Sequence, residues 1–136
     1  MVDDPYLWSI PTTCGGLGQE GMRRYYRDDF VGTMPDDAAI SSVSLTVGED
    51  QIAEEVILTF THDREMPWIL PGIAPTGRRI EIPQLAVVAV RDGKIAHEHI
   101  WWDQASVLAQ VGLLDPKHVP AFGVETASRL RDLPPS

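Results

Sequence analysis

Asp92-Gly93 stands between two runs that both read as strands, and this leaves the middle of the chain few ways to fold. An Asp-Gly pair accepts the positive φ angles of a two-residue hairpin turn, so the flanking runs are predicted to pair antiparallel. Upstream, residues 80–90 contain Leu85-Ala86-Val87-Val88-Ala89-Val90, apolar on both faces as in a central strand that is covered twice. Downstream, a strand from Lys94 runs to Asp103 and straight into a short helical pattern that ends at Gly112. Period two places His97, His99, Trp101 and Asp103 on one face of that strand, and Ala96, Glu98, Ile100 and Trp102 on the other. Two imidazoles, an indole and a carboxylate pack poorly against a core. That face is therefore expected to line a pocket.

The remaining segments fall into place around this hairpin. Residues 6–10, between Pro5 and Pro11, read as an edge strand, and the glycine-rich stretch 12–18 as a loop whose spacing fits neither a P-loop nor a dinucleotide fingerprint. Met22, Tyr25, Tyr26 and Phe30 recur at three- and four-residue intervals, which predicts a helix over 19–30. The hydroxyls of Tyr25 and Tyr26 are placed either to reach a cavity or simply to pack with a wet tip. Val43, Leu45 and Val47 alternate with polar residues, and Gly48-Glu49-Asp50 reverses the chain into a longer strand over 51–61. His62 ends the apolar row of that strand, as a site residue or as a satisfied structural histidine. Residues 63–79 form a long loop stiffened by Pro67, Pro71 and Pro75; its Trp68, Ile69 and Leu70 suit a lid or rim over the pocket, or a dimer contact. A short helical piece is expected over 125–130 in a tail ending in prolines.

Composition excludes several classes. No linker or repeat divides the 136 residues, so a single domain over 1–136 is expected, with its core over 6–114 and a tail over 115–136. A formal net charge of −9 argues against nucleic acid, and Arg23, Arg24 and Arg27 are interleaved with Glu20, Asp28 and Asp29 as on a solvated helix face. A lone Cys14 forms no internal disulfide, which suits a reducing compartment. No run is long and apolar enough for a membrane span, and the acidic start Met1-Val2-Asp3-Asp4-Pro5 lacks the pattern of a signal peptide. A cytoplasmic protein is the expectation. His97 and His99 make half of a metal site, but no third ligand is spaced with them, so no metal is expected.

The Asp at the end of this hairpin strand is followed by Leu five residues on, Gln seven on and Gly nine on: Asp103, Leu108, Gln110 and Gly112. This pattern resembles the terminal motif of the SnoaL-like polyketide cyclases, within the nuclear-transport-factor-like superfamily. Gly72-Ile73-Ala74-Pro75-Thr76-Gly77-Arg78-Arg79 likewise resembles that family's proline-threonine-glycine loop. Together the motifs span about residues 39–114. The resemblance implies an α+β fold: a cone-shaped, strongly curved antiparallel sheet with mixed edges and helices on its concave side. It also implies acid/base chemistry by Asp103 on a small, apolar carbonyl compound, with no cofactor. His99 would assist from the same face, His62 and His97 would stand behind it, and Trp101, Trp68, Tyr25 and Tyr26 would contact substrate. His99 occupies a position where relatives commonly carry a bulky aromatic, so isomerisation or hydrolysis stands beside aldol-type cyclisation. Relatives also carry helices before the first strand, whereas few residues precede Tyr6. A homodimer or higher oligomer covering the open side, a fragment of a longer protein, or an open pocket would each account for this. Asp103 is in addition a favoured helix N-cap, worth about 1 kcal/mol. If capping is its whole role, the chain is a non-catalytic ligand-binding or oligomerising module.

Overall fold

A computed structural model describes residues 1–133, so the last prolines of the tail lie outside the described residues. Strands β1 (Tyr6–Ser9) and β2 (Cys14–Leu17) form a short hairpin, followed by helix α1 (Gly18–Arg24), which continues as a π-helix, Tyr25–Phe30. Next come β3 (Ala39–Val47), β4 (Gln51–Thr61), β5 (Arg79–Arg91), β6 (Lys94–Trp102), α2 (Gln104–Gln110) and α3 (Glu125–Arg131). The six strands make one sheet in the order β2-β1-β6-β5-β4-β3. Every pairing is antiparallel except β1 on β6, so the sheet is mixed. Two details differ from the sequence reading. β1 lies inside the sheet, because the expected loop contains β2, whose glycines let it pass close: a Cβ on Gly15 would sit 1.8 Å from the Leu7 carbonyl oxygen.

The Asp92-Gly93 hairpin forms as expected, with φ of +53° and +74° at the two turn residues and Arg91 paired to Lys94. Register fixes the faces of the sheet. Leu58 pairs with Ile82 and Phe60 with Ile80; all four are buried, and their row continues through Ala96, Glu98, Ile100 and Trp102 of β6 and Leu7 and Ser9 of β1. Against this row pack Met22 and Tyr25 from the helix and Met66, Trp68, Ile69 and Leu70 from the segment between β4 and β5. α3 lies across the opposite face, where Ala127 is fully buried and Arg131 pairs with Glu81 at 3.5 Å.

Within the segment 63–79, residues 66–70 belong to the core, while 71–79 run largely exposed. Met66, Trp68 and Ile69 are all 0% exposed, because its turn folds the apolar side chains inward and pins them there. Thr12 Oγ1 donates to the Trp68 carbonyl at 2.7 Å and Gln104 Nε2 to the Ile69 carbonyl at 2.9 Å. Trp68 also meets Phe30 and Trp102 edge-on, with ring centroids 5.1 and 5.5 Å away.

Candidate functional site

The π-helix sets the first half of the site. At about 100° per residue an α-helix would place residues five apart roughly 140° around its axis. Here Tyr25 and Phe30 instead stack face to face at 5.8 Å and 14°. That wider turn seats Tyr25 fully in the core, with its hydroxyl 3.3 Å from Ser9 Oγ, and leaves Tyr26 beside it facing β6. Tyr26 then donates its hydroxyl to Glu98 Oε2 at 3.4 Å.

Glu98 is a carboxyl on the row that carries the core. Burial raises its pKa above the ordinary glutamate value, and the Tyr26 hydrogen bond only partly opposes this. Burial also pushes the Tyr26 hydroxyl up to about 12, with the Glu98 charge adding to the effect. At neutral pH Tyr26 is therefore a neutral donor, beside a carboxyl whose proton affinity is raised. Tyr26 also lines a groove of about 650 Å³ along the helix, bordered by Met1, Gln19, Met22, Arg23, Arg27 and Val31.

The histidine face of β6 looks away from the core row, and only its Trp101–Asp103 end borders a depression. Alternation sorted the side chains correctly, but helix α1 and the Trp68 segment cover the Ala96–Glu98–Ile100–Trp102 row. His97 and His99 instead pack with Tyr6. The Tyr6 ring stacks on His97 at 4.7 Å and its hydroxyl lies 3.0 Å from His99 Nε2. The two imidazoles stack on each other at 5.0 Å. Trp101 on the same face is 46% exposed. Asp103 is exposed; with Trp101, Leu85 and Leu130 it borders a shallow depression of about 330 Å³. His62 lies apart from both, fully buried, with Nδ1 accepting from the Thr76 amide at 3.2 Å. Its Nε2 has no partner among the described residues, and burial lowers its pKa. Trp68 is sealed in the core. The candidates therefore divide among four places: Tyr25 and Tyr26 near Glu98, His62 under the Thr76 turn, His97 and His99 with Tyr6, and Asp103 with Trp101 at the depression. Among the described residues no group of three His, Cys, Asp or Glu side chains is placed to hold a metal.

Atom by atom, the terminal motif builds the fold. Asp103 caps α2, accepting from the Ser106 amide at 3.3 Å. Leu108 packs against the core. Gln110 forms a two-bond amide pair with the Glu81 backbone, 2.9 Å in each direction, where β5 runs on past its partner β6. Gly112, at φ +83°, ends the helix in a Schellman motif with the Leu113 amide on the Leu108 carbonyl. The second motif does the same: Gly77, at φ +70°, donates its amide to the His62 carbonyl at 2.8 Å. Glu98 went unnoticed in the sequence, although a carboxylate sharing a face with Ala96, Ile100 and Trp102 was a signal. Charged side chains on apolar faces are rarely buried without a function or a partner.

The SnoaL-like polyketide cyclase family model matches residues 10–111, and the chain belongs to that family. Solved structures share the fold. A SnoaL-like protein from Jannaschia sp. is 18% identical, with a TM-score of 0.64 over 82% of this chain and 72% of its own. TsrD from Streptomyces laurentii is 23% identical, with a TM-score of 0.60 over 72% and 69%. A protein with the ketosteroid isomerase-like fold from Catenulispora acidiphila, solved with trimethylamine, is 14% identical, with a TM-score of 0.59 over 83% and 77%. No curated protein matches the chain. No helix among the described residues is long and apolar enough to cross a membrane.

Proposed function

We propose that this chain is an acid/base enzyme acting on a small carbonyl compound in the groove along α1, with Glu98 moving the proton and Tyr26 steadying the oxygen. The observation that carries the reading is the Tyr26–Glu98 pair: a partly buried carboxyl, outside the groove lining itself, held by a hydroxyl whose own residue lines the groove. Ionised Glu98 takes a proton from the carbon beside the carbonyl by way of the Tyr26 hydroxyl, which passes its own proton to Glu98 as it accepts the one from carbon, and the electron pair moves to the carbonyl oxygen. Neutralising Glu98 weakens its hold on the Tyr26 hydroxyl, which is then free to donate to the new enolate oxygen. Returning the proton to carbon gives isomerisation; attack of the enolate carbon on a second carbonyl gives cyclisation. Neither step calls for a cofactor.

A second reading places the proton transfer at Asp103, assisted by His99. It is favoured by the motif match and by the depression that Asp103 borders with Trp101. One experiment separates the two: exchange of the α-protons of methyl acetoacetate into D2O, followed by NMR against a protein-free blank. On the Glu98 reading, Glu98→Gln slows the catalysed exchange by about a hundredfold or more, whereas Asp103→Asn slows it by no more than its loss of folded protein. The opposite ranking moves the chemistry to Asp103. No catalysed exchange by the wild-type chain would leave it as a binding or assembly module.

A further inference from the structure

The groove that Tyr26 lines is bordered by two arginines whose acidic partners, Glu20 and Asp28, stand outside its lining. Acidic residues outnumber Lys and Arg by 20 to 11, yet the lining contains two arginines and no acid. Arg23 and Arg27 lie four residues apart, and Gln19, Met22, Arg23, Tyr26 and Arg27 share one side of the helix at three- and four-residue spacing. The remaining walls are the apolar side chains of Met1, Met22 and Val31. A ligand suited to this surface has a small apolar body, one anionic end and a carbonyl that reaches Tyr26.

Resting on the proton-transfer reading above, we propose that the substrate is a carboxylate-bearing carbonyl compound, with Arg23 as its principal anchor and Arg27 as the second. The existing partners of the two arginines do not prevent this. Arg23 reaches Glu20 only at 3.7 Å and Gln19 Oε1 at 3.5 Å, and the Arg23 and Glu20 side chains are 69% and 83% exposed. Exposed pairs of that kind are worth at most about 1 kcal/mol, so a carboxylate docking in the groove displaces little. Arg27 is held more firmly, by Asp28 at 2.9 and 3.2 Å, which is why it takes the secondary role. Arg23 stands one turn before Tyr26, a rise of about 4.5 Å, so one short molecule spans the guanidinium and the hydroxyl. Bound this way, the carboxylate fixes which carbon lies at the Tyr26 hydroxyl.

The test compares acetoacetate with methyl acetoacetate, which keeps the two carbonyls and removes the charge. Affinities are measured by NMR titration of the full chain at low ionic strength. Acetoacetate is expected to bind about tenfold tighter than the ester, and Arg23→Gln to abolish most of that preference while leaving ester affinity within about twofold. Arg23 is exposed, so its replacement leaves the fold intact. Equal affinities, no detectable binding of either compound, or a preference that survives both Arg23→Gln and Arg27→Gln would overturn the proposal. Glu98→Gln separates this claim from the one beneath it. That variant is expected to keep the acid-over-ester preference while losing proton exchange. If wild type shows the Arg23-dependent preference but no exchange, the anchor stands and the proton-transfer reading falls. If it exchanges the ester's protons without preferring the acid, the reverse holds.

Discussion

Replacing Trp68 by alanine tests whether the segment between β4 and β5 belongs to the core or rides over the site. The indole is 0% exposed and is held edge-on by Phe30 and Trp102. Removing a fully buried Trp side chain, with the cavity it leaves, costs about 3–5 kcal/mol. The two aromatic contacts place this site toward the upper half of that range, since each adds about 0.5–1.5 kcal/mol beyond area. For a chain of this length, unfolding entropy of about 2.1 cal/mol/K per residue turns 4 kcal/mol into a fall in Tm of about 14 °C. Differential scanning calorimetry with matched urea titrations reads both quantities, and the m-value is expected to stay constant. Trp68→Phe supplies the control. It keeps most of the apolar area and deletes an indole N–H that has no partner among the described residues, so its loss is expected to be less than half as large. A fall of under about 3 °C for Trp68→Ala would show a loosely seated rim and refute the reasoning.

Three further outcomes follow from the same contacts. Asp103→Ala removes the α2 cap and is expected to lower stability by about 1 kcal/mol in urea unfolding; no change would mean that the Ser106 contact contributes nothing. Burial lowers the His62 pKa, so the folded state binds fewer protons there than the unfolded chain. Stability at this site is complete above the ordinary histidine value near 6.5 and lost as pH falls through the lower folded value. His62→Asn is expected to flatten the stability slope below that value, as seen in Tm measured across acid pH, and an unchanged slope would contradict it. Glu98 has the opposite sign. Its folded pKa is raised, so its favourable contribution is complete below about 4.5 and lost as pH rises through the folded value. Glu98→Gln is therefore expected to be at least as stable as wild type at neutral pH, with that advantage vanishing in acid; a variant destabilised at pH 7 and not in acid would reverse the sign.

Much of this architecture could be read from local pattern. Alternation located β3 and β4, a run apolar on both faces located β5, the Asp92-Gly93 pair located its hairpin with β6, and the three- and four-residue spacing of Met22, Tyr25, Tyr26 and Phe30 located the helix. What stayed hidden depended on contacts distant in sequence. Both faces of β6 mix apolar and polar side chains, with Trp101 and Trp102 adjacent but opposed, so alternation separates the two sets without saying which faces inward. Packing decides that, through Met22, Tyr25 and Trp68. The parallel pairing of Tyr6–Ser9 with His97–Ile100 joins segments some 90 residues apart and has no local signature. The loop over 63–79 was legible from its three prolines, and its apolar Trp68, Ile69 and Leu70 marked the part that packs, but whether they seat in the core or over a pocket was not. The motifs that revealed the family proved to be caps, a sheet-edge pairing and positive-φ turns. They report the fold more directly than the chemistry.

The most direct test of the proposed site is the ionisation of Glu98 itself. Glutamate carboxyls labelled with 13C are titrated by NMR, with the Glu98 signal identified by its loss in Glu98→Gln and the series repeated in Tyr26→Phe. The account predicts a Glu98 midpoint above the ordinary 4.5, moving higher still when the Tyr26 hydroxyl is removed. A midpoint at or below 4.5, unmoved by Tyr26→Phe, would show a solvated, untethered carboxylate and contradict the assignment of acid/base chemistry to this pair.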